Sequence, residues 1–376
     1  MNNDSPIRIL QVGMSPYYGG TESFLMNCYR AMDKTAVQFD FLNVYDEKIA
    51  CQDEIESLGG RIYYLNMARH SGMRSYYQNL TDFFEQNSKA FDAVHCNYQS
   101  LINTDILKFA KKYGIKVRIA HAHNSGYGKE PGMKQKLLIF KNRVTLGKYA
   151  THYFACSPLA AAWMFGERPA TIIKNAIDAE KFIYSEEKRI RARAELGLEG
   201  AFAVMFVGRF DPQKNPLFLL EIFNELHKKA PDSKLIITGD GVLREEMVDK
   251  TQALALSDSV IMTGSRSDVN ELLQAADAFL LPSKFEGLGI VLIEAQAAGL
   301  ETYTSDKVVP SDARVTDLLH FISLDEPAEH WADVILQNRN AERCNMENEI
   351  KAAGYDNREN AQKLKKLYWK AVVNTL

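Results

Sequence analysis

Leu281-Pro-Ser-Lys-Phe-Glu286-Gly-Leu-Gly-Ile-Val-Leu-Ile-Glu294-Ala-Gln-Ala-Ala-Gly299 passes from strand to loop to helix. The apolar run Ala278 to Leu281 reads as a strand that ends at Pro282. The loop carries Glu286 and two glycines, and a helix from about Gly289 to Ala298 holds Glu294 in its second turn. Gly287 and Gly289 let the backbone approach a ligand closely. Unpaired N–H groups at the helix start, about Leu288 and Gly289, favour an anion or sugar hydroxyls. Two carboxylates beside that start would accept hydrogen bonds from a polyol. The same residues also read as a capped helix with solvated glutamates, and the segment alone does not separate the two.

Outward from this segment the chain repeats one rhythm. Ile7 to Val12 reads as a buried strand ending in Gly13, followed by a loop with Gly19-Gly20 and a helix from Thr21 to Met32. Thr21 is the expected cap, with Glu22 at the positive end of the helix dipole. Further strands are expected at Phe39 to Val44, Arg61 to Leu65, Ala93 to Cys96, Val117 to His121 and Tyr153 to Cys156. After the charged stretch Lys181 to Glu199 the rhythm restarts. Strands are expected at Ala201 to Val207, Lys234 to Thr238, Ser259 to Met262 and Ala278 to Leu281, with helices at Pro216 to Lys229 and Glu271 to Ala276. Strands separated by helices imply βαβ units and parallel sheets. Two such series in 376 residues predict two Rossmann-like domains. The expected division is 1–175 and 176–356, with a basic amphipathic helix, 357–376, closing the chain. In open α/β sheets ligands bind beyond the carboxyl ends of the strands, so the residues after each strand are where chemistry is expected.

Composition narrows the function. Hydrophobic residues make up 46% and charged residues 25%, the balance of a folded globular protein, and a net charge of -3 argues against a nucleic-acid binder. Five scattered cysteines without a C-x-x-C pair argue against a disulfide framework or zinc site. No signal peptide is visible and no apolar run nears the roughly 18 residues that span a bilayer. A cytoplasmic location is expected, with any membrane role peripheral, at the inner face.

Four more segments carry candidate chemistry. Val207-Gly-Arg209-Phe-Asp-Pro-Gln-Lys214-Asn-Pro216 places two cations after a strand, where they can neutralise a diphosphate. Tyr17-Tyr-Gly-Gly20-Thr-Glu22 is a glycine turn entering a helix, suited to phosphate or acceptor contact, but neither a Walker loop nor G-x-G-x-x-G. In Ile119-Ala-His-Ala-His123-Asn-Ser125, the period of two puts both histidines on one side of a strand, with His123 nearer its end. His123 is the functional candidate, and no third ligand is evident for a metal pair. Residues 134–148 combine Lys136, Lys141 and Arg143 with Leu137 to Phe140 and read either as a contact to an anionic membrane or as an ordinary charged outer face. No Asp-x-Asp pair occurs, which favours neutralising a diphosphate without a metal ion.

Taken together these segments resemble family 4 of the retaining, GT-B-fold glycosyltransferases, and most of all bacterial members that build exopolysaccharide and capsule. Glu286 and Glu294 with seven residues between resemble its E-x7-E signature, Gly208-Arg209 with Lys214 its diphosphate pair, Gly19-Gly20 its N-terminal glycine loop, and His123-Asn-Ser125 its histidine segment. Lys174-Asn-Ala-Ile-Asp178 resembles its inter-domain N-G-I-D segment, with Ala176 where Gly is usual, and Leu300-Glu301-Thr302 stands where Pro is usual. The resemblance implies an α/β GT-B fold, two parallel-sheet domains facing across a cleft. It implies that Glu286 contacts the donor sugar and Glu294 the ribose. Backbone at Gly287, Leu288 and Gly289 would meet sugar or phosphate. Arg209 and Lys214 would stabilise the departing diphosphate. His123 would meet the sugar near the reacting carbon, Gly20 the donor, and the turn ending at Arg266 the base. The final helix would cross back to the N-terminal domain.

The expected activity is transfer of a hexose or amino sugar, with retention, from a nucleotide sugar to a glycan or lipid-linked acceptor. UDP-sugars are favoured, and neither cofactor nor metal is required. Two rivals share the fold: a nucleotide-sugar epimerase, separable by product analysis without acceptor, and a non-catalytic subunit of a polysaccharide assembly complex. Acceptor choice is expected in the N-terminal domain, around Met67 to Tyr77.

Overall fold

The computed structural model describes residues 5–65, 72–127 and 130–374. The chain forms two compact units, Met1–Ala176 with Asp356–Leu376, and Ile177–Tyr355. Of the expected acceptor segment, Met67 to Tyr77, residues 67–71 lie outside the described residues, and the helix Gly72–Asn87 takes up the rest.

The N-terminal unit is built on strands β1 (Ile7–Val12), β2 (Val37–Asn43), β3 (Ile62–Tyr64), β4 (Ala93–Tyr98), β5 (Val117–Ala122), β6 (His152–Ala155) and β7 (Thr171–Ile172). They pair in parallel in the order β3-β2-β1-β4-β5-β6-β7. The sheet is covered on both faces, and successive residues feed opposite cores. Ile9, Phe39, Phe41 and Ile119 pack with Phe24 and Tyr29 on one side. Leu10, Leu42, Val94 and Ala120 pack with Phe84, Leu107 and Phe165 on the other. The final helix, Asn357–Val373, belongs to this unit. Asp356 caps it by accepting the Glu359 N–H at 2.9 Å, and Leu364 and Tyr368 enter the first core.

The C-terminal unit contains β8 (Phe202–Val207), β9 (Ser233–Thr238), β10 (Val260–Gly264), β11 (Ala278–Leu281), β12 (Glu301–Ser305) and β13 (Leu319–Ile322). These too are parallel, in the order β10-β9-β8-β11-β12-β13. Each sheet therefore reverses its strand order once, between β1 and β4 and between β8 and β11. At such a switch point the crossovers leave on opposite faces, and the loops beyond the carboxyl ends part into a crevice.

Thr21 does not cap the first helix. The helix is Gly20–Ala31, its N-cap is Gly19 with extended backbone, and Thr21 lies inside it. The Thr21 hydroxyl instead accepts from Gln99 Nε2, while the Glu22 carboxylate reaches back to the Ser15 N–H at 2.8 Å.

Candidate active site

The loops at the β8/β11 switch point are tied to each other. Lys284 donates its N–H to the Gln213 carbonyl at 2.8 Å, and Gln213 Nε2 donates to the Phe285 carbonyl at 2.9 Å. Asn215 takes a left-handed conformation (φ 56°), which turns the chain into the helix opened by Pro216. Gly239, at the end of β9, has φ +141°, and a Cβ there would lie 2.0 Å from the Gly208 carbonyl oxygen, so only glycine lets the two strand ends close up.

This frame brings Lys214 and Glu286 together. Lys214 Nζ donates to Glu286 Oε1 at 2.6 Å, and the two side chains are only 15% and 4% exposed. Ser283 Oγ donates to the same oxygen at 2.5 Å. Glu286 Oε2 takes no hydrogen bond from a described residue. The amides of Leu288 and Gly289 likewise find no acceptor among the described residues. Gly289, with φ +73° and ψ +64°, is the N-cap of the helix Ile290–Ala297. That start thus presents unpaired donors beside a free carboxylate oxygen and a half-buried ammonium.

Glu294 sits one turn further along the helix and is partly exposed. Burial pushes its carboxyl up to about 7. Arg209 follows β8 with an exposed side chain that, among the described residues, pairs only with Asp211, at 3.4 Å. So exposed a pair holds the guanidinium weakly. Arg266, beyond β10, is gripped by Asp268 through two bonds of 2.7 and 2.6 Å. Among the described residues no group of three or more His, Cys, Asp or Glu side chains is placed to hold a metal ion.

In the N-terminal unit, Gly20 is the first residue of its helix, and a Cβ there would meet nothing within 4 Å. His123 follows β5 and is 7% exposed. Its ring lies between Phe24, at 5.0 Å between centroids, and His121, at 4.1 Å. Burial pushes the imidazole down to about 3. His121 bonds to His95, 3.0 Å between ring nitrogens, so His121 and His123 part in role. Sequence reasoning did not single out Ser283, His95, Asn97 or Tyr368. A signal existed for two of them, since His95 and Asn97 are polar residues two apart in an otherwise apolar strand.

A family profile described as glycosyl transferases group 1 matches residues 188–356. The chain is 31% identical over 376 residues, 97% of each chain, to a Bacillus subtilis protein named "Putative glycosyltransferase EpsF". A shorter stretch, 140 residues and 36% of each chain, is 35% identical to the UDP-Gal:alpha-D-GlcNAc-diphosphoundecaprenol alpha-1,3-galactosyltransferase of Escherichia coli. Among solved structures, Anabaena Alr3699/HepE in complex with UDP-glucose superposes with a TM-score of 0.70 at 16% identity, over 98% of this chain and 99% of that one. The chain is therefore an α/β protein of the GT-B fold and an enzyme of the group 1 glycosyltransferase family.

Proposed function

We propose that the chain transfers a hexose or amino sugar from a nucleoside diphosphate sugar, UDP-linked in preference to GDP-linked, to a glycan or lipid-linked acceptor, with retention at the anomeric carbon, in extracellular or capsular polysaccharide synthesis. The observation that carries this reading is the Lys214–Glu286 pair at the β8/β11 switch point, with Glu286 Oε2 and the Leu288 and Gly289 amides unoccupied beside it. The diphosphate lies against Arg209, Lys214 and the helix start. As the sugar–oxygen bond breaks, charge grows on the leaving phosphate oxygen, and a cation already fixed in a buried place stabilises it without reorganising. Glu286 Oε2 accepts a sugar hydroxyl, and Glu294 the ribose hydroxyls. His123 meets the sugar near its reacting carbon, and the turn at Arg266 flanks the base. The open space above Gly20 suits close approach of the donor.

The names of the relatives support a nucleotide-sugar donor, since one uses UDP-Gal and one solved neighbour holds UDP-glucose. The Escherichia coli relative acts on a lipid-linked diphosphate, which supports an acceptor of that class. The helix Met133–Thr145 fits such an acceptor. Met133, Leu137, Phe140 and Val144 share one face and are 82, 70, 65 and 58% exposed, flanked by Lys134, Lys141 and Arg143. Flotation with vesicles of anionic phospholipid should carry the protein upward, and Phe140→Glu should release it. The function itself is tested by calorimetry and turnover with a panel of UDP- and GDP-sugars. Protein that neither binds, hydrolyses nor transfers any of them would refute the reading.

A further inference from the structure

Beneath His123 runs a set of buried polar side chains, and the hydrogen bonds that lead to His123 have only one consistent direction. Asn97, on β4, donates Nδ2 to the Val12 carbonyl at 3.1 Å and to Gln11 Oε1 at 3.2 Å. The Val12 carbonyl can only accept, so it fixes which end of the Asn97 amide is nitrogen. The other end, Oδ1, faces His123 Nε2 at 2.9 Å. An amide oxygen can only accept, so the His123 proton must sit on Nε2. The remaining ring nitrogen, Nδ1, then carries a bare lone pair. It is buried and takes no hydrogen bond from any described residue. Leaving a buried acceptor unpaired is costly, and native structures keep such atoms where a partner arrives later.

The same carbonyl orders a second branch. With Gln11 Oε1 occupied by Asn97, Gln11 Nε2 donates to the Tyr368 hydroxyl at 3.1 Å. That hydroxyl lies 2.6 Å from His95 Nδ1, and His95 Nε2 lies 3.0 Å from His121 Nδ1. The final helix thus locks the Gln11 amide that Asn97 leans on. Gly13, with φ +112°, lets the chain pass so close that a Cβ there would lie 2.3 Å from the Asn97 carbonyl oxygen.

We infer that Asn97 is a positioning residue that holds His123 in the Nε2–H form, so that Nδ1 accepts a hydrogen bond from a hydroxyl of the bound donor sugar. This rests on the proposed contact between His123 and that sugar, and adds its polarity. The site takes a group that donates a proton and disfavours a carbonyl or carboxylate oxygen at the same place. His123 acts as an acceptor and holds its proton on the far side of the ring throughout.

The test combines spectroscopy with a double-mutant cycle. Nitrogen-15 spectra of ring-labelled histidine, assigned by single substitutions, should show His123 protonated at Nε2 in the unaltered protein. Asn97→Ala should lower kcat/KM for sugar transfer about tenfold, the scale of one hydrogen bond, and leave UDP affinity unchanged. His123→Asn places an amide oxygen close to where Nδ1 lies, and in that background Asn97→Ala should cost nothing further. His123 protonated at Nδ1, or an equal loss from Asn97→Ala in both backgrounds, would overturn the inference. Transfer unaffected by His123→Phe would instead overturn the underlying contact. Should Asn97→Ala fail to fold, the ring spectrum of the unaltered protein decides.

Discussion

Lowering the pH from 7 to 5 should cost the N-terminal unit about 6 kcal/mol of stability through three histidines. His95, His121 and His123 are buried and lie on neighbouring strands, and burial holds His95 and His123 down at about 3 and His121 well below its usual value. In the unfolded chain each titrates near 6.5. Between that value and about 3 the unfolded chain binds protons that the folded chain refuses. Stability is therefore complete above about 6.5 and falls as the pH drops through the window. At pH 5 all three are still neutral in the folded unit, so the loss depends only on the unfolded value, at about 2 kcal/mol per ring. That is a large share of the ~5–15 kcal/mol available to a domain. Hydrogen exchange read by mass spectrometry, corrected for intrinsic rate, resolves β4 and β5 from β8 and β11. Protection in β4 and β5 should fall by about four orders of magnitude. A change below about tenfold would show that the rings are protonated or hydrated in the folded unit, and the neutral hydrogen-bond order around His123 would go with it.

Other perturbations test the C-terminal unit. Because ribose hydroxyls donate to a carboxylate and the Glu294 carboxyl stands up at about 7, UDP-glucose should bind about tenfold more weakly at pH 6 than at pH 8, and Glu294→Gln should flatten that dependence in calorimetry. Lys214→Met strands the buried Glu286 carboxylate and should destabilise the unit by about 3–5 kcal/mol in urea unfolding, while Lys214→Met with Glu286→Gln should recover most of the stability and none of the transfer activity. Recovery of activity in the double variant would make the pair structural. Gly239→Ala drives a Cβ into the Gly208 carbonyl and should part the β8 and β9 ends, lowering both the melting temperature and the UDP-sugar affinity measured by thermal shift. Unchanged values for both would mean that the Arg209 loop does not depend on that closure.

How far the sequence could be read depended on what each element shows outwardly. Apolar runs such as Ala203 to Val207 and Ala278 to Leu281 mark strands buried on both faces, and both sit within β8 and β11. Strand β12, Glu-Thr-Tyr-Thr-Ser, gave no such signal because three of its residues are threonine or serine. They are buried all the same, since Thr302, Thr304 and Ser305 donate to the carbonyls of Leu300, Leu281 and Ser283. Its register also accommodates Glu301 and Thr302 where proline is usual, because the Thr302 N–H is needed by the Leu318 carbonyl at 2.8 Å. The loop holding Glu286 was legible because its parts are local. The partnership of His95 with Tyr368 joins positions 273 residues apart, and no periodicity carries that.

The two switch points share a topology and differ in charge, and the difference follows from what surrounds each. At β8/β11 a half-buried cation and a buried anion face each other, with a carboxylate oxygen and backbone donors left over. Such a pair survives burial only because its members compensate each other, so a ligand that takes Lys214 must bring its own negative charge. A diphosphate does so, and a neutral sugar could not. At β1/β4 the groups are imidazoles, amides and a phenol, all neutral, and from His123 the protons point inward, to Asn97 Oδ1 and then from Asn97 Nδ2 to the Val12 carbonyl, which leaves His123 Nδ1 as an acceptor. A site of that kind repels charge and discriminates by hydrogen-bond polarity, which is what telling one sugar hydroxyl from another requires. The chemistry of each half can therefore be lost separately: charge reversal at Lys214 should abolish nucleotide binding with any sugar attached, whereas substitution at Asn97 should spare UDP and alter the choice among UDP-sugars.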